Sequence, residues 1–578
     1  MGEEKILTGA EIIIECLKEQ QVDTVFGYPG GTVISVYDAL FKNKKSIRHI
    51  LTSHEQGAAH AADGYARATG KTGVCLVTSG PGATNIVTGI ATAYMDSIPL
   101  VALTINVPVD HLGKDSFQEV DIAGITMPIT KYNYIVKDIS RLADTLRRAF
   151  RIAQTGRKGP VLIDITRDVT EASTIFAGKG KSEDYAEDFK AVNEVRGDDT
   201  KRAELKKELT AAAKLMKKAK RPVLLVGGGC VHSKAQKELV KLVDKFRMPV
   251  IDTLMGKGAF PGTREEYLGM TGRHGTKAAN NAVANADLLL AVGTRFSDRV
   301  ADKMQECVKN AHIIQIDIDK AELNKNFTVD VGINADAAEA VGILADFLPE
   351  KSFGEWLEHN CSLKEESLKK NSSGAVVEKT TAEKTTAEEN TSYDQEDSLN
   401  GEAIVRHIYR LTGGNAIITT EVGQNQMLAA AYYSYSREGQ LITSGGLGTM
   451  GFGLGAAIGA GLGCPDKKIV NIAGDGCFRM NMNELMTAVR YGVPLVEVII
   501  DNNALGMVHQ MQREMYDGRF SETEFFDSPD FVSIAKAMGA KGAEPSNLKE
   551  FDRVFAEALK EETVPSVIVC HVSINEIV

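Results

Sequence analysis

The sequence predicts an α/β protein built of three doubly wound, parallel-sheet domains, and three observations lead there. Short apolar runs alternate with helix-like segments along nearly the whole chain, the pattern of repeated strand–helix–strand units. Most of these runs end at Gly, Asp or Asn, where a strand would turn out of a sheet. Two polar, weakly hydrophobic stretches divide the chain into three blocks of similar length. These blocks are 1–180, 195–350 and 401–578.

Composition limits the function before any motif is read. At 578 residues the chain is long enough for three or four domains of about 150 residues each. Hydrophobic residues make up 43% and charged residues 25%, as in soluble globular proteins. A net charge of −11 argues against general affinity for nucleic acid, which needs a basic face. No apolar run reaches the roughly 18 residues of a transmembrane helix. The N-terminus, Met1-Gly2-Glu3-Glu4-Lys5, is acidic and lacks a hydrophobic signal core; Ile6 stands where a myristoylation start needs Ser or Thr. Eight scattered cysteines form no CxxC pair, so a reducing cytoplasm is the expected location.

In the first block an apolar run leads into Gly27-Tyr28-Pro29-Gly30-Gly31. The run His49–Thr52 leads into Ser53-His54-Glu55-Gln56-Gly57, and Val74–Thr78 into Ser79-Gly80-Pro81-Gly82-Ala83-Thr84-Asn85. A further strand is expected at Val161–Ile165. The second block offers Val223–Val226, Leu288–Val292 and His312–Ile318; the third offers Ile469–Ala473 and Val496–Ile500. Between the blocks, Lys179–Lys201 is polar. So is Leu363–Ser398, inside a linker expected at 355–400, which carries a tandem copy at Lys379–Glu383 and Lys384–Glu388. Such stretches bury too little apolar surface to offset their ordering entropy. Ligands of open α/β sheets bind outside the carboxyl ends of strands, so the residues just after each run are the candidates.

The strongest signal follows the third block's strands. Ile469–Ala473 leads into Gly474-Asp475-Gly476, and Val496–Ile500 into Asp501-Asn502-Asn503, with Asp475 and Asn502 separated by 27 positions. That spacing suits one crossover. Mg²⁺ takes hard oxygen ligands, commonly one or two from protein and the rest from phosphate and water. Asp475 offers a carboxylate and Asn502 an amide oxygen, with Asn503 as the alternative. The glycines at 474 and 476 admit a diphosphate close to the backbone. Taken alone, Gly-Asp-Gly is equally a strand-ending turn. In the first block, Glu55 opens a helix filled with small residues. A carboxylate there either meets the helix dipole or serves chemistry.

Together these segments resemble the thiamine-diphosphate enzymes, and among them the catalytic subunit of the acetolactate synthases. The chain matches their Gly-Asp-Gly and Asn-Asn motif, with Asp501 in place of the first Asn. It also matches their N-terminal HEQGAAHAADGYARATG stretch. Glu421-Val-Gly-Gln-Asn-Gln-Met427 is similar to the family's DVGQHQM, and Ser444-Gly-Gly-Leu-Gly-Thr-Met-Gly-Phe-Gly-Leu454 matches almost throughout. The resemblance implies that Glu55 hydrogen-bonds the cofactor's aminopyrimidine, and that Asp475 and Asn502 hold Mg²⁺ on its diphosphate. It places Gly30, Gly82, Asn85, Gln424, Gln426, Gly448, Gly474 and Gly476 against the cofactor, with Met450 beneath it, although Met450 reads equally as a core residue.

Substrate contacts are implied for Gln118, Lys131 and Arg299, the last two basic as a 2-oxo acid carboxylate requires. Two departures bear on specificity. Ile105-Asn106 replaces a Gly-Gln pair. Met511 stands where Trp is frequent and is linked with preference for 2-oxobutanoate, so no strong preference for that acceptor is expected. The central block, together with Arg157 of the first, resembles the FAD-contacting segments of the anabolic synthases through Arg157, His274, Gly275, Gly293, Arg295, Asp317 and Asp336. The family implies FAD without net redox work, a homodimer or homotetramer with Glu55 serving the partner's diphosphate site, a small regulatory subunit, and branched-chain amino acid (valine, leucine, isoleucine) synthesis. Another thiamine-flavin enzyme, a pyruvate oxidase or 2-oxo acid decarboxylase, is the alternative, separated by its products.

Overall fold

The computed structural model of the protein describes residues 5–178, 198–301, 308, 311–372 and 397–578. Each expected apolar run forms a strand, and the inner strands are buried along their length because helices cover both faces of the sheet, whereas the edge strand Arg48–Leu51 is only partly buried. The N-terminal sheet has six parallel strands, ordered Arg48–Leu51, Thr24–Tyr28, Gly73–Thr78, Leu100–Asn106, Pro160–Thr166, Tyr132–Val136. The C-terminal sheet runs Leu441–Ile442, Ile417–Thr420, Ile469–Gly474, Val496–Asp501, Ser566–His571, Lys541–Ala543. Numbered within their own domains, both follow the order 2-1-3-4-6-5. The central sheet, from Tyr267–Met270 and Val250–Asp252 through Pro222–Val226 and Leu288–Val292 to His312–Asp317 and Val331–Asn334, follows 3-2-1-4-5-6. That is the order of dinucleotide-binding sheets. Each sheet is sandwiched between two apolar layers. A short antiparallel pair, Lys5–Thr8 with Ser173–Phe176, ties the ends of the first domain together.

The domain boundaries depart from the sequence reading at the second linker. Its first part is the helix Gly354–Ser372, docked on the central domain. Leu357 is buried there, the Trp356 indole donates to the Pro222 carbonyl at 3.2 Å, and Lys364 Nζ donates to the Tyr267 carbonyl at 2.7 Å. A few apolar side chains on one helical face suffice to anchor an otherwise polar segment. The helix Asp198–Lys218 likewise claims the end of the first polar stretch for the central domain. The tandem copy lies outside the described residues.

One seam joins the outer domains. Helix Glu55–Thr69 lies along helix Gly453–Gly463, both built largely of Ala and Gly. A Cβ at Gly64 would overlap the Ala456 carbonyl oxygen, and one at Gly459 the Ala61 carbonyl oxygen. Only glycine allows backbones this close. This contact fixes the N-terminal domain, and Glu55 at the start of its helix, against the C-terminal domain.

Candidate active site

In the C-terminal and central domains the site lies where strand order reverses. In the C-terminal sheet that point lies between Ile417–Thr420 and Ile469–Gly474, whose ends carry Glu421–Gln426 and Gly474–Gly476. In the central sheet it lies between Pro222–Val226 and Leu288–Val292, whose ends carry Gly227–Gly229 and Gly293–Arg295. These two points open into one cavity of about 950 Å³. Asp475, Asn502, Gln424, Gln426, Gly448, Met450, Gly474 and Gly476 line one end. Arg157, His274, Gly293, Arg295, Arg299, Asp317 and Asp336 line the other.

Asp475 is 1% exposed, and its Oδ2 has no hydrogen-bond partner among the described residues. Burial, then the neighbouring Asp501 carboxylate, pushes its carboxyl up to about 7. An orphaned, desolvated acid beside a second acid is what a divalent cation relieves. Asn502 lines the same wall: its Nδ2 donates to Gln424 Oε1 at 3.1 Å, and its Oδ1 accepts from the Ala504 amide at 3.1 Å. Gln424 in turn donates to Gln510 Oε1 and to the Glu576 carbonyl. Asp501, besides neighbouring Asp475, accepts from the Asn503 amide at 3.0 Å and lies 3.3 Å from His571 Nδ1. Asn502, not Asn503, is thus the amide at the cavity wall. Among the described residues no three His, Cys, Asp or Glu converge as a metal cage. One carboxylate and one amide plus phosphate oxygens fit Mg²⁺, which rarely uses an all-protein cage.

Beside them, Gly448 adopts φ +70° and its Cβ position meets only Val422, at 3.9 Å. The turn needs glycine and leaves the backbone open to the cavity. Gln426 Nε2 donates to Thr443 Oγ1 at 2.7 Å and to the Ser444 carbonyl at 3.2 Å, holding the same turn.

The N-terminal domain gathers a separate group. Glu55 Oε2 accepts from Asn85 Nδ2 at 2.9 Å, and a Cβ at Gly82 would sit 3.4 Å from Glu55 Oε1. A Cβ at Gly80 would sit 2.8 Å from the Gln118 carbonyl oxygen; Gln118 itself adopts φ +59°. Gly30 packs on Thr78. This group does not line the cavity of its own chain among the described residues.

Three expected site residues have other duties. Lys131 Nζ donates to the Ile152 and Thr155 carbonyls, the latter at 2.7 Å, and so terminates helix Leu142–Gln154 without itself lining the cavity. Burial, then Arg157, draws its ammonium down to about 8. Gly275 closes a turn onto the Gly272 carbonyl, and a Cβ there would sit 2.7 Å from the Thr271 carbonyl carbon; it does not line the cavity. Asp336 caps helix Ala337–Phe347 and accepts from Ser233 Oγ at 2.6 Å, while still facing the cavity. Arg299 lines the cavity with its side chain 72% exposed and its Nε 3.8 Å from Asp298 Oδ2, an exposed pair. Burial pushes Asp317 up to about 6. Asn106, at the departure noted above, is occupied by Asp164 at 2.7 Å. Sequence reasoning missed Met95–Ser97, which join Gln154 and Gly156–Lys158 of the N-terminal domain in the cavity wall. The one signal was an acid ending an apolar helix.

Two dinucleotide- or diphosphate-type sheets, an acid–amide pair at one strand-end crevice and a carboxylate on a third domain define a thiamine pyrophosphate enzyme. Family comparison agrees in all three parts. The thiamine pyrophosphate enzyme N-terminal TPP binding domain matches 7–125, the central domain 209–344 and the C-terminal TPP binding domain 421–570. The probable acetolactate synthase large subunit of Methanocaldococcus jannaschii is 44% identical over 559 residues, 94% of this chain and 89% of that protein. The acetolactate synthase isozyme 3 large subunit of Escherichia coli K12 is 39% identical over 558 residues, 96% and 93%. The acetolactate synthase large subunit of Lactococcus lactis is 40% identical over 550, 94% and 89%. The chain belongs to the acetolactate synthase large-subunit family. Among the described residues no helix is long and apolar enough to cross a membrane.

Proposed function

We propose that the protein is the catalytic subunit of an acetolactate synthase. It decarboxylates pyruvate and joins the two-carbon unit to a second pyruvate or to 2-oxobutanoate, for branched-chain amino acid synthesis in the cytoplasm. The observation that carries this reading is near-full-length kinship with acetolactate synthases, in a chain whose Asp475 and Asn502 line one wall of the cavity.

When bound, thiamine diphosphate supplies the nucleophilic carbon and electron sink that decarboxylation of a 2-oxo acid needs. Asp475 and Asn502 would hold Mg²⁺, whose charge would offset the desolvation of the Asp475 carboxylate. Glu55, whose Oε2 accepts from Asn85, would hold or release a proton at its carboxylate toward the pyrimidine end. Because Glu55 lies outside its own chain's cavity, a second copy supplies it, making a dimer the working unit. Gln118 moves with Glu55 on the same domain. Arg299 binds the substrate carboxylate from the open side.

The far end of the cavity suits FAD. The 3-2-1-4-5-6 sheet, the glycine turns at 227–229 and 293, the guanidinium of Arg295 and the acid of Asp317 are the elements a dinucleotide uses. Met511 on the cavity wall leaves the acceptor pocket without a flat aromatic, so pyruvate and 2-oxobutanoate compete on similar terms. A separate small subunit is the partner a large subunit calls for.

Purified protein incubated with pyruvate, thiamine diphosphate, Mg²⁺ and FAD tests the reading. Acetolactate is the expected product. Acetaldehyde, or acetate with peroxide, in its place overturns it.

A further inference from the structure

The segment 443–452 carries Gly448 and Met450, yet much of its support comes from another domain. Asp96, the last residue of helix Val87–Asp96, is 5% exposed and lines the cavity. Its Oδ2 accepts from the Gly445 amide at 3.1 Å and its Oδ1 from the Gly446 amide at 2.7 Å. Four residues earlier on the same helix face, Thr92 donates its hydroxyl to the Thr88 carbonyl and accepts from Thr449 Oγ1 at 2.7 Å. Gly448 therefore sits between two anchors, at 445–446 and at 449. Within the segment, the Thr449 amide donates to Ser444 Oγ at 3.0 Å and closes it into a loop.

The Asp96 carboxylate is itself held. Arg67 Nη2 donates to its Oδ2 at 3.0 Å, Arg67 Nε donates to Asp63 Oδ1 at 2.5 Å, and Arg67 Nη1 donates to the Thr443 carbonyl at 2.9 Å. The guanidinium also stands 5.3 Å from the Phe452 ring centre. Arg67 thus grips the loop's two ends while Asp96 and Thr92 grip its middle. All these charges are buried, where charge-assisted bonds are strong and a lost partner is costly.

We propose that Asp96 and Thr92 are positioning residues that set the height of the Gly448–Met450 backbone over the cavity floor. The proposal rests on the cofactor reading above, because the backbone being aimed is the one assigned to the cofactor. It adds that the N-terminal domain has two roles: Glu55 for the partner's site and Asp96 for its own.

Asp96→Asn keeps the shape and one acceptor but sets an NH₂ against a backbone N–H or the guanidinium. Thr92→Val removes only the hydroxyl. For Asp96→Asn, kcat is expected to fall about ten- to hundredfold while KM for pyruvate moves less than about threefold. Amide exchange in peptides spanning 443–450 of the cofactor-free protein is expected to rise at least about tenfold, with the strand Pro222–Val226 unchanged. Thr92→Val moves both readouts the same way by less. Unchanged exchange in 443–450 overturns the proposal, whatever kcat does. So does exchange that rises across the whole chain while kcat per folded molecule is retained. The exchange readout needs neither cofactor nor substrate. A wild-type protein that makes no acetolactate therefore refutes the functional reading alone, and a silent segment 443–450 refutes this one alone.

Discussion

Asp475 offers the sharpest test of the site, because the carboxyl proposed as ligand is also a proton acceptor. Burial and Asp501 hold that carboxyl up to about 7 in the free protein. A divalent cation needs the ionised form, so it must displace a proton at any lower pH. Because the carboxyl is held up, the ionised form gives way to the protonated one as pH falls from 8 to 6, and apparent affinity should weaken with it, by up to about tenfold or about 1.4 kcal/mol. Replacing Asp475 with Asn removes the titration together with the charge. Calorimetric titration of Mg²⁺ into protein saturated with thiamine diphosphate measures the effect at both pH values. The phosphates titrate alike in both proteins, so the difference between wild type and variant isolates Asp475. Runs in two buffers of unlike ionisation enthalpy should also count close to one extra proton released by the wild type near pH 6. Parallel pH profiles for the two proteins, with equal proton counts, refute the assignment of Asp475 as the ligand.

Glu55→Gln should lower turnover by at least about 10²-fold with the circular dichroism spectrum unchanged. Mixing it with Asp475→Asn should restore about one quarter of wild-type activity after subunit exchange, since half the dimers then hold one intact site; no recovery excludes shared sites. Gly459→Val forces side-chain atoms onto the Ala61 carbonyl and should cost at least about 1–3 kcal/mol, read as a lowered thermal midpoint. Lys257→Met leaves the buried Asp252 carboxylate with only Tyr267, at 2.8 Å. Denaturant unfolding should show a loss of about 3–5 kcal/mol, and a neutral result means Asp252 folds protonated.

The fold was legible because its strands announce themselves locally. Val74–Thr78, Leu288–Val292 and Val496–Ile500 are apolar runs with punctuated ends, and a strand buried on both faces needs little else. Gly354–Ser372 was not legible as a helix of the central domain. Its anchor is a few side chains, Trp356 and Leu357 among them, amid charged residues, and composition averaged over the stretch hides a single docked face. The shared strand order of the outer sheets was invisible too, since order depends on which crossovers pack and not on where strands begin.

The site divides the same way. Asp475 and Asn502 follow consecutive paired strands, so chain spacing alone carried them to one crevice. Lys131 shows the limit of reading by residue type. A cation near the right segment is chemically apt, but two helix-terminal carbonyls claimed it, and burial makes such bonds hard to give up. Asp96 errs in the opposite direction. Nothing around Asp96-Ser97-Ile98-Pro99 names a ligand, and its partners lie about 350 positions away at Gly445 and Gly446. A carboxylate that binds backbone amides leaves no matching side chain in the sequence to pair it with. The residues proposed to touch a cofactor are therefore the ones a motif spells out as letters, whereas those proposed to aim the backbone toward it emerge only when the domains are folded together.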